Sequence, residues 1–264
     1  MANSTTPKLR RRITLILGTA SPRRPLLEML PFLFPETGEI DLDAILLEDE
    51  TQRRAAELPF VRELSLLTTS EREFGTAQFE RAISLCRQGL EQALRSAARR
   101  DDVTLTVRCV GAAVGCLQEF ALASDITLFG PPRRFGQELL PVAFRARRRG
   151  RIVVVIDDLS TGSQALAVAG QLAGGDTSRL SVIVGVGAGE RPSAADISAA
   201  IALPPASIRR LTDTGIDALL KLLHDEGAAA AVLGVNEQAL SANALEILRR
   251  RLRCPVCLVR ITDR

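Results

Sequence analysis

Two stretches of this chain carry the same arrangement. Arg10-Arg11-Arg12 runs into Ile13-Thr14-Leu15-Ile16-Leu17, and Arg147-Arg148-Arg149-Gly150-Arg151 runs into Ile152-Val153-Val154-Val155-Ile156. The first, with Lys8 ahead of it, could pass for a secretion signal. Its recurrence in mid-chain argues otherwise, because a signal has no reason to be repeated. A short run that is apolar at every position, or at all but one as with Thr14, fits a parallel strand covered on both faces. The pair therefore marks the opening strands of two similar α/β units.

Working outward, each half repeats the same alternation. In the first, a helix is expected over 22–34, a strand over 40–47, a third strand over 103–109, a helix over 113–123 and a fourth strand over 126–130. In the second, the counterparts are 161–173, 179–186, 207–211, 215–226 and 231–234. Each half then has a proline and valine entering an apolar strand, Pro141-Val142-Ala143-Phe144 and Pro255-Val256-Cys257-Leu258-Val259. Strand and helix alternating in this way imply parallel sheets with right-handed crossovers. The expected domains are 1–146 and 147–264.

The halves are unequal. All nine phenylalanines lie at or before Phe144. The first half carries an extra segment, 48–79, ahead of a long helix over 80–99. Only ten residues separate Gly130 from Pro141, too few for a crossover helix, whereas twenty separate Gly234 from Pro255. The inserted segment is too apolar for a free loop. Leu58, Phe60, Val61 and Phe74 are its candidate contacts to a protein partner or a small ligand.

Composition narrows the function classes. The 264 residues carry 34 basic and 31 acidic side chains, a net charge of +3, so no strong field draws the chain to an anionic partner. Aromatic residues total 3% with no Trp or Tyr, which removes the stacking platforms of single-strand nucleic-acid binders. The arginine clusters precede strands, where solvated sheet ends account for them, and no nucleic-acid partner is expected. No run approaches the roughly 20 apolar residues of a membrane span. Five cysteines at irregular spacing do not form a secreted disulfide framework, and a cytoplasmic location is expected.

Several constellations tempt a chemical reading. Cys254-Pro255-Val256-Cys257 has redox or zinc spacing, but it opens a strand, where residues three apart face opposite ways, and no second pair completes a zinc site. The single histidine, His224, ends a helix closed by Gly227 and suits its dipole there. Glu48-Asp49-Glu50 reads as a hard-cation site or a solvated strand end. Gly185-Val186-Gly187-Ala188-Gly189 follows a strand but lacks the continuation of a dinucleotide fingerprint. No catalytic centre or metal site is expected.

The strand end Val155-Ile156-Asp157-Asp158-Leu159-Ser160, the Leu233-Gly234 strand end and the Cys254–Val259 strand together resemble the universal stress protein domain. In the first half, Leu47–Glu50 and Leu58–Glu63 resemble a stretch of its tandem bacterial members. The resemblance implies two doubly wound sheets of strand order 3-2-1-4-5, paired as an internal pseudo-dimer, with ligands at the carboxyl ends of the strands. It places candidate nucleotide contacts at Asp157, Ser160, Val186 and Gly234. ATP-binding members follow strand four with Gly-x-x-Gly, nine residues and Gly-Ser or Gly-Thr. Here the second glycine position is Glu237, and the Gly-Ser position falls at Ile247-Leu248. In the first half Gly18-Thr19 replaces the acidic position, and Pro131 and Pro132 follow Gly130, removing two amide donors. The expectation is a non-catalytic, stress-type regulatory protein without tight ATP binding or other cofactor, able to form a homodimer. The alternative is an ATP or AMP sensor, another small-molecule sensor, or a weak ATP hydrolase.

Overall fold

The computed structural model describes residues 10–261, apart from 20, 22, 36, 65–69, 99, 112–115, 132–149, 186–191, 202–204, 212, 214 and 236–240. The first half runs β1 (Arg10–Gly18), α1 (Arg24–Leu33), β2 (Glu39–Glu48), α2 (Glu50–Glu57), β3 (Arg62–Leu64), β4 (Glu71–Glu73), α3 (Thr76–Ala98), β5 (Val103–Gly111), α4 (Cys116–Ala123) and β6 (Ile126–Phe129). The second runs β7 (Arg151–Ile156), α5 (Leu159–Leu172), β8 (Leu180–Val184), α6 (Ala194–Ala200), β9 (Ser207–Arg210), α7 (Ile216–Asp225), β10 (Ala228–Val235), α8 (Ala242–Arg251) and β11 (Val256–Arg260).

All strands except the β3–β4 hairpin join one nine-stranded sheet of order β5-β2-β1-β6-β11-β10-β7-β8-β9. Within the second half this is the 3-2-1-4-5 order. The first half departs from it by contributing 3-2-1-4 only. The place beside β6 that a fifth strand would take is held by β11, in the single antiparallel pairing of the large sheet, with Cys257 opposite Leu128 and Leu258 opposite Thr127. The ladder continues past the strand, where the Arg260 amide donates to the Asp125 carbonyl at 3.0 Å. The spacing in the sequence accounts for this. Ten residues between Gly130 and Pro141 are too few for a crossover helix, and the edge of β6 is satisfied by the last strand of the other half. The expected strand at 141–144 lies outside the described residues.

Helices cover both faces. Leu15, Leu42, Val154 and Val182 pack on one side with α1, α3 and α5, while Ile16, Ile45, Val153 and Ile183 pack on the other with α4, α7 and α8. The central strands β6, β7, β8, β10 and β11 are largely apolar on both faces because both faces are buried. Each such Leu or Ile contributes roughly 1.5–3 kcal/mol on leaving water. Cys254, just ahead of β11, and Cys257, within it, fall in opposite clusters, and Cys86, Cys109, Cys254 and Cys257 are free thiols. No helix of the described residues is long and apolar enough to cross a membrane.

Candidate functional site

The carboxyl ends of β7 and β10 lie side by side, with Val155 opposite Leu233. Here the strand order reverses, and the candidate residues of the second half gather. Asp157 follows β7 and is exposed. Its carboxylate lies against Gly185, at the end of β8, where an added Cβ would come within 2.0 Å of Asp157 Oδ1. The Gly185 amide donates to the Ile156 carbonyl at 2.8 Å, so a larger residue at 185 would have to turn the exposed Asp157 carboxylate aside. Ser160 stands in the first turn of α5. Gly234 sits near the end of β10, but its open side is covered, since a Cβ there would meet Ile261 Cδ1 at 2.8 Å. The Ile261 amide donates to the Val235 carbonyl at 2.8 Å, which ties the backbone of that residue to the end of β10. Val186 and Glu237 lie outside the described residues.

The first half has no acid at the corresponding point. Gly18 ends β1 in a local turn, its carbonyl accepting from the Ser21 amide at 3.0 Å and its amide donating to the Ser21 hydroxyl at 3.2 Å. The inserted segment is what distinguishes this half. Asp49 caps α2 by accepting from the Thr51 and Gln52 amides, while Glu48 and Glu50 pair with Arg53 and Arg54, both at 3.1 Å. The acidic triplet is therefore a helix start with its ion pairs. The β3–β4 hairpin that follows is tied by Arg62–Glu71 and Arg72–Glu63 pairs across its strands.

The four contact candidates of this segment separate into two groups. Val61 and Phe74 are half-buried at the hairpin base, where the Phe74 amide donates to the Val61 carbonyl at 2.9 Å. Phe74 also meets the edge of Phe79, with ring centroids 6.5 Å apart. Leu58 and Phe60 stand out in solvent, Phe60 at 98% exposure and in the left-handed region at φ 67°. None of the four lines the cleft of about 570 Å³ in this half, which is walled by Arg53 and Glu57 of α2, by Glu80 and Arg87 of α3, and by Val107 and Cys109 of β5. Burial raises the Cys109 thiol pKa, Glu48 raises it further, and Arg87 opposes the shift.

Sequence reasoning reached the inserted segment but missed Glu80 and Arg87. Their signal was the spacing Thr76, Phe79, Glu80, Ile83, Ser84, Arg87, which is one helix face. Also missed was a buried cluster at the amino ends of the second half. Glu226, beyond the end of α7, accepts from Arg151, from Ser181 at 2.9 Å, from Ser207 at 3.2 Å and from Arg209 at 3.1 Å. His224 lies in the last turn of α7, whose carbonyl accepts from the Gly227 amide at 3.0 Å. Among the described residues, no group of three or more His, Cys, Asp or Glu side chains could hold a metal ion.

No family model matches this chain, and no curated protein matches it either. A functionally unknown protein from Pseudomonas aeruginosa PAO1 aligns with 95% of this chain and 92% of its own, at 10% identity and a TM-score of 0.48. A universal stress protein from Archaeoglobus fulgidus DSM 4304 aligns with 94% of this chain and 98% of its own, at 14% identity and a TM-score of 0.48. The chain is thus similar, over nearly its full length, to solved structures that include a universal stress protein.

Proposed function

We propose that this chain is a non-catalytic, cytoplasmic regulatory protein of the stress-response type, which acts by binding and does not hold ATP tightly. One contrast carries the reading. Ile261 fills the space that Gly234 leaves at the second half's strand ends, while the first half opens a cleft walled by its inserted segment. A phosphate site needs bare backbone that an anion can approach, and a side chain over the glycine denies that approach. The exposed Asp157 beside Gly185 favours the second reading, an adenine-nucleotide sensor. Absorbance separates the two. A chain without Trp or Tyr has almost no absorption in the aromatic band, so a retained nucleotide would dominate the spectrum. The expected spectrum of the purified protein is that of phenylalanine alone, with no calorimetric heat at millimolar ATP. A nucleotide band, or saturable heat, would replace this reading with the sensor.

A further inference from the structure

The charges around the first-half cleft are of two kinds. Glu48 is engaged with Arg53 at 3.1 Å, and Arg108 with Asp43 at 2.6 Å. Glu80 and Arg87, both on α3 and both exposed, form no ion pair with any described residue, and neither does Glu57 on the α2 wall. Glu80, Ile83 and Arg87 follow one another at three- and four-residue steps, so they share one face of the helix. Seven residues at 1.5 Å rise place the two Cα atoms about 10 Å apart along the axis, with both side chains leaving from one face. Between them the floor is apolar, formed by Ile83 with Val107 and Cys109 across from it. The cleft thus offers a negative end, an apolar middle and a positive end, in a volume within the roughly 300–1,000 Å³ of small-molecule sites.

From this we infer that the cleft binds a short zwitterionic peptide of about three residues, with free termini and an apolar centre. Extended backbone advances about 3.3–3.6 Å per residue, so three residues span the distance between the two Cα positions. The terminal ammonium faces Glu80, with Glu57 adding a second carboxylate to the cleft. The terminal carboxylate faces Arg87, whose planar fork suits a bidentate carboxylate. The central side chain covers Ile83. A longer peptide would carry its terminal charge past Arg87. A single amino acid, whose charges lie close together, could reach only one end. This inference rests on the binding function proposed above and names the ligand class for it.

Calorimetric titration of the full chain with the tripeptide Ala-Leu-Ala tests it. The free peptide should bind, and acetylating its amine or amidating its carboxylate should each weaken binding at least tenfold. In Arg87→Gln the amidated and free peptides should bind alike, while the free amine is still preferred. In Glu80→Gln the reverse should hold. Both side chains are exposed, and unchanged melting temperatures would show both variants folded. No heat at millimolar peptide, or equal binding of free and doubly capped peptides, would overturn the inference. An ATP titration run alongside keeps the two readings apart. Silence with both ligands removes the peptide alone, whereas heat with ATP removes the regulatory reading as well.

Discussion

The sheet face beneath α4, α7 and α8 starts polar at the amino ends of the strands in both halves, yet the halves treat that polarity in opposite ways. In the second half, the chain leaving α7 delivers Glu226 into the face, where its side chain is 3% exposed and ringed by Arg151, Arg209, Ser181 and Ser207. In the first half, α4 is only eight residues long, and the acid after it, Asp125, is exposed and accepts from the Arg12 amide at 2.8 Å. The carboxylates there belong to the sheet itself, Asp41 paired with Arg10 and Asp43 with Arg108, along an open groove of about 490 Å³. Arg108 also lies 5.2 Å from the Phe120 ring, a cation–π contact at the groove wall. Arginines of similar exposure thus hold a buried carboxylate in one half and partly hydrated ones in the other, Glu226 being 3% exposed and Asp41 and Asp43 each 23%. What decides is whether a carboxylate is carried in beside them and closed off from water.

The largest consequence is at Glu226. Burial alone pushes its carboxyl pKa up, but the hydrogen bonds and charge of Arg151, with the hydroxyls of Ser181 and Ser207, more than offset this and hold it below the ordinary value. Glu226→Ala should cost about 2–3 kcal/mol in urea unfolding. That is less than a fully buried pair would lose, because Arg151 and Arg209 reach water and can hydrate their charges. The depressed pKa fixes the sign with pH. The contribution is present above the unfolded glutamate value of about 4.3 and is lost as pH falls through the lower folded value. Glu226→Gln should therefore flatten the acid limb of stability below about pH 4.3. An unchanged acid limb would show that the ring of donors does not hold the charge.

How much of this was legible depends on the range of the interaction. The two runs, Ile13–Leu17 and Ile152–Ile156, announced buried parallel strands because every position but Thr14 is apolar. The expected separation of Cys254 from Cys257 holds, although Cys254 lies just ahead of β11 and not in it, and complete burial pushes the Cys257 thiol up to about 12. The start of α2 was local and readable in principle, with Asp49 as cap and Glu50 and Arg54 one turn apart. The β6–β11 pairing was not readable, since backbone hydrogen bonds between strands about 130 residues apart leave no side-chain pattern in either. Glu226 was hidden for the same reason. Its partners come from the starts of three strands, and only their register brings Arg151, Ser181 and Ser207 to one point.

A smaller effect sharpens the comparison on the opposite sheet face. At Gly162, in α5, an added Cβ would sit 2.7 Å from Ile156 Cγ2 and 2.8 Å from its Cβ. Those are branch atoms fixed to the strand and cannot swing aside. Gly162→Ala should therefore lose about 1–2 kcal/mol from overpacking, despite the roughly 1 kcal/mol that alanine gains over glycine in a helix. Gly170→Ala in the same helix meets nothing within 4 Å and should be stabilising by up to about 1 kcal/mol. Opposite signs in thermal unfolding would establish that α5 rests directly on the end of β7. Equal signs would mean that the helix start can lift away from the strand.

The smallest expected effect bears most directly on the first half. Asp43 pairs with Arg108 at 2.6 Å, and the arginine side chain is 48% exposed. An ion pair with that access to water is screened and contributes little, so Asp43→Ala should change stability by less than about 1 kcal/mol, and added salt should erase most of that. The same substitution is the sharpest way to break the contrast with Glu226. Water can hydrate Arg108 when its partner is removed, provided the groove is open. If the groove were closed in solution, the guanidinium would be left buried without its carboxylate. The loss would then approach that of Glu226→Ala and would resist salt. The paired measurement therefore reads the accessibility of the groove directly, and a small, salt-sensitive loss at Asp43 is what the open rim requires.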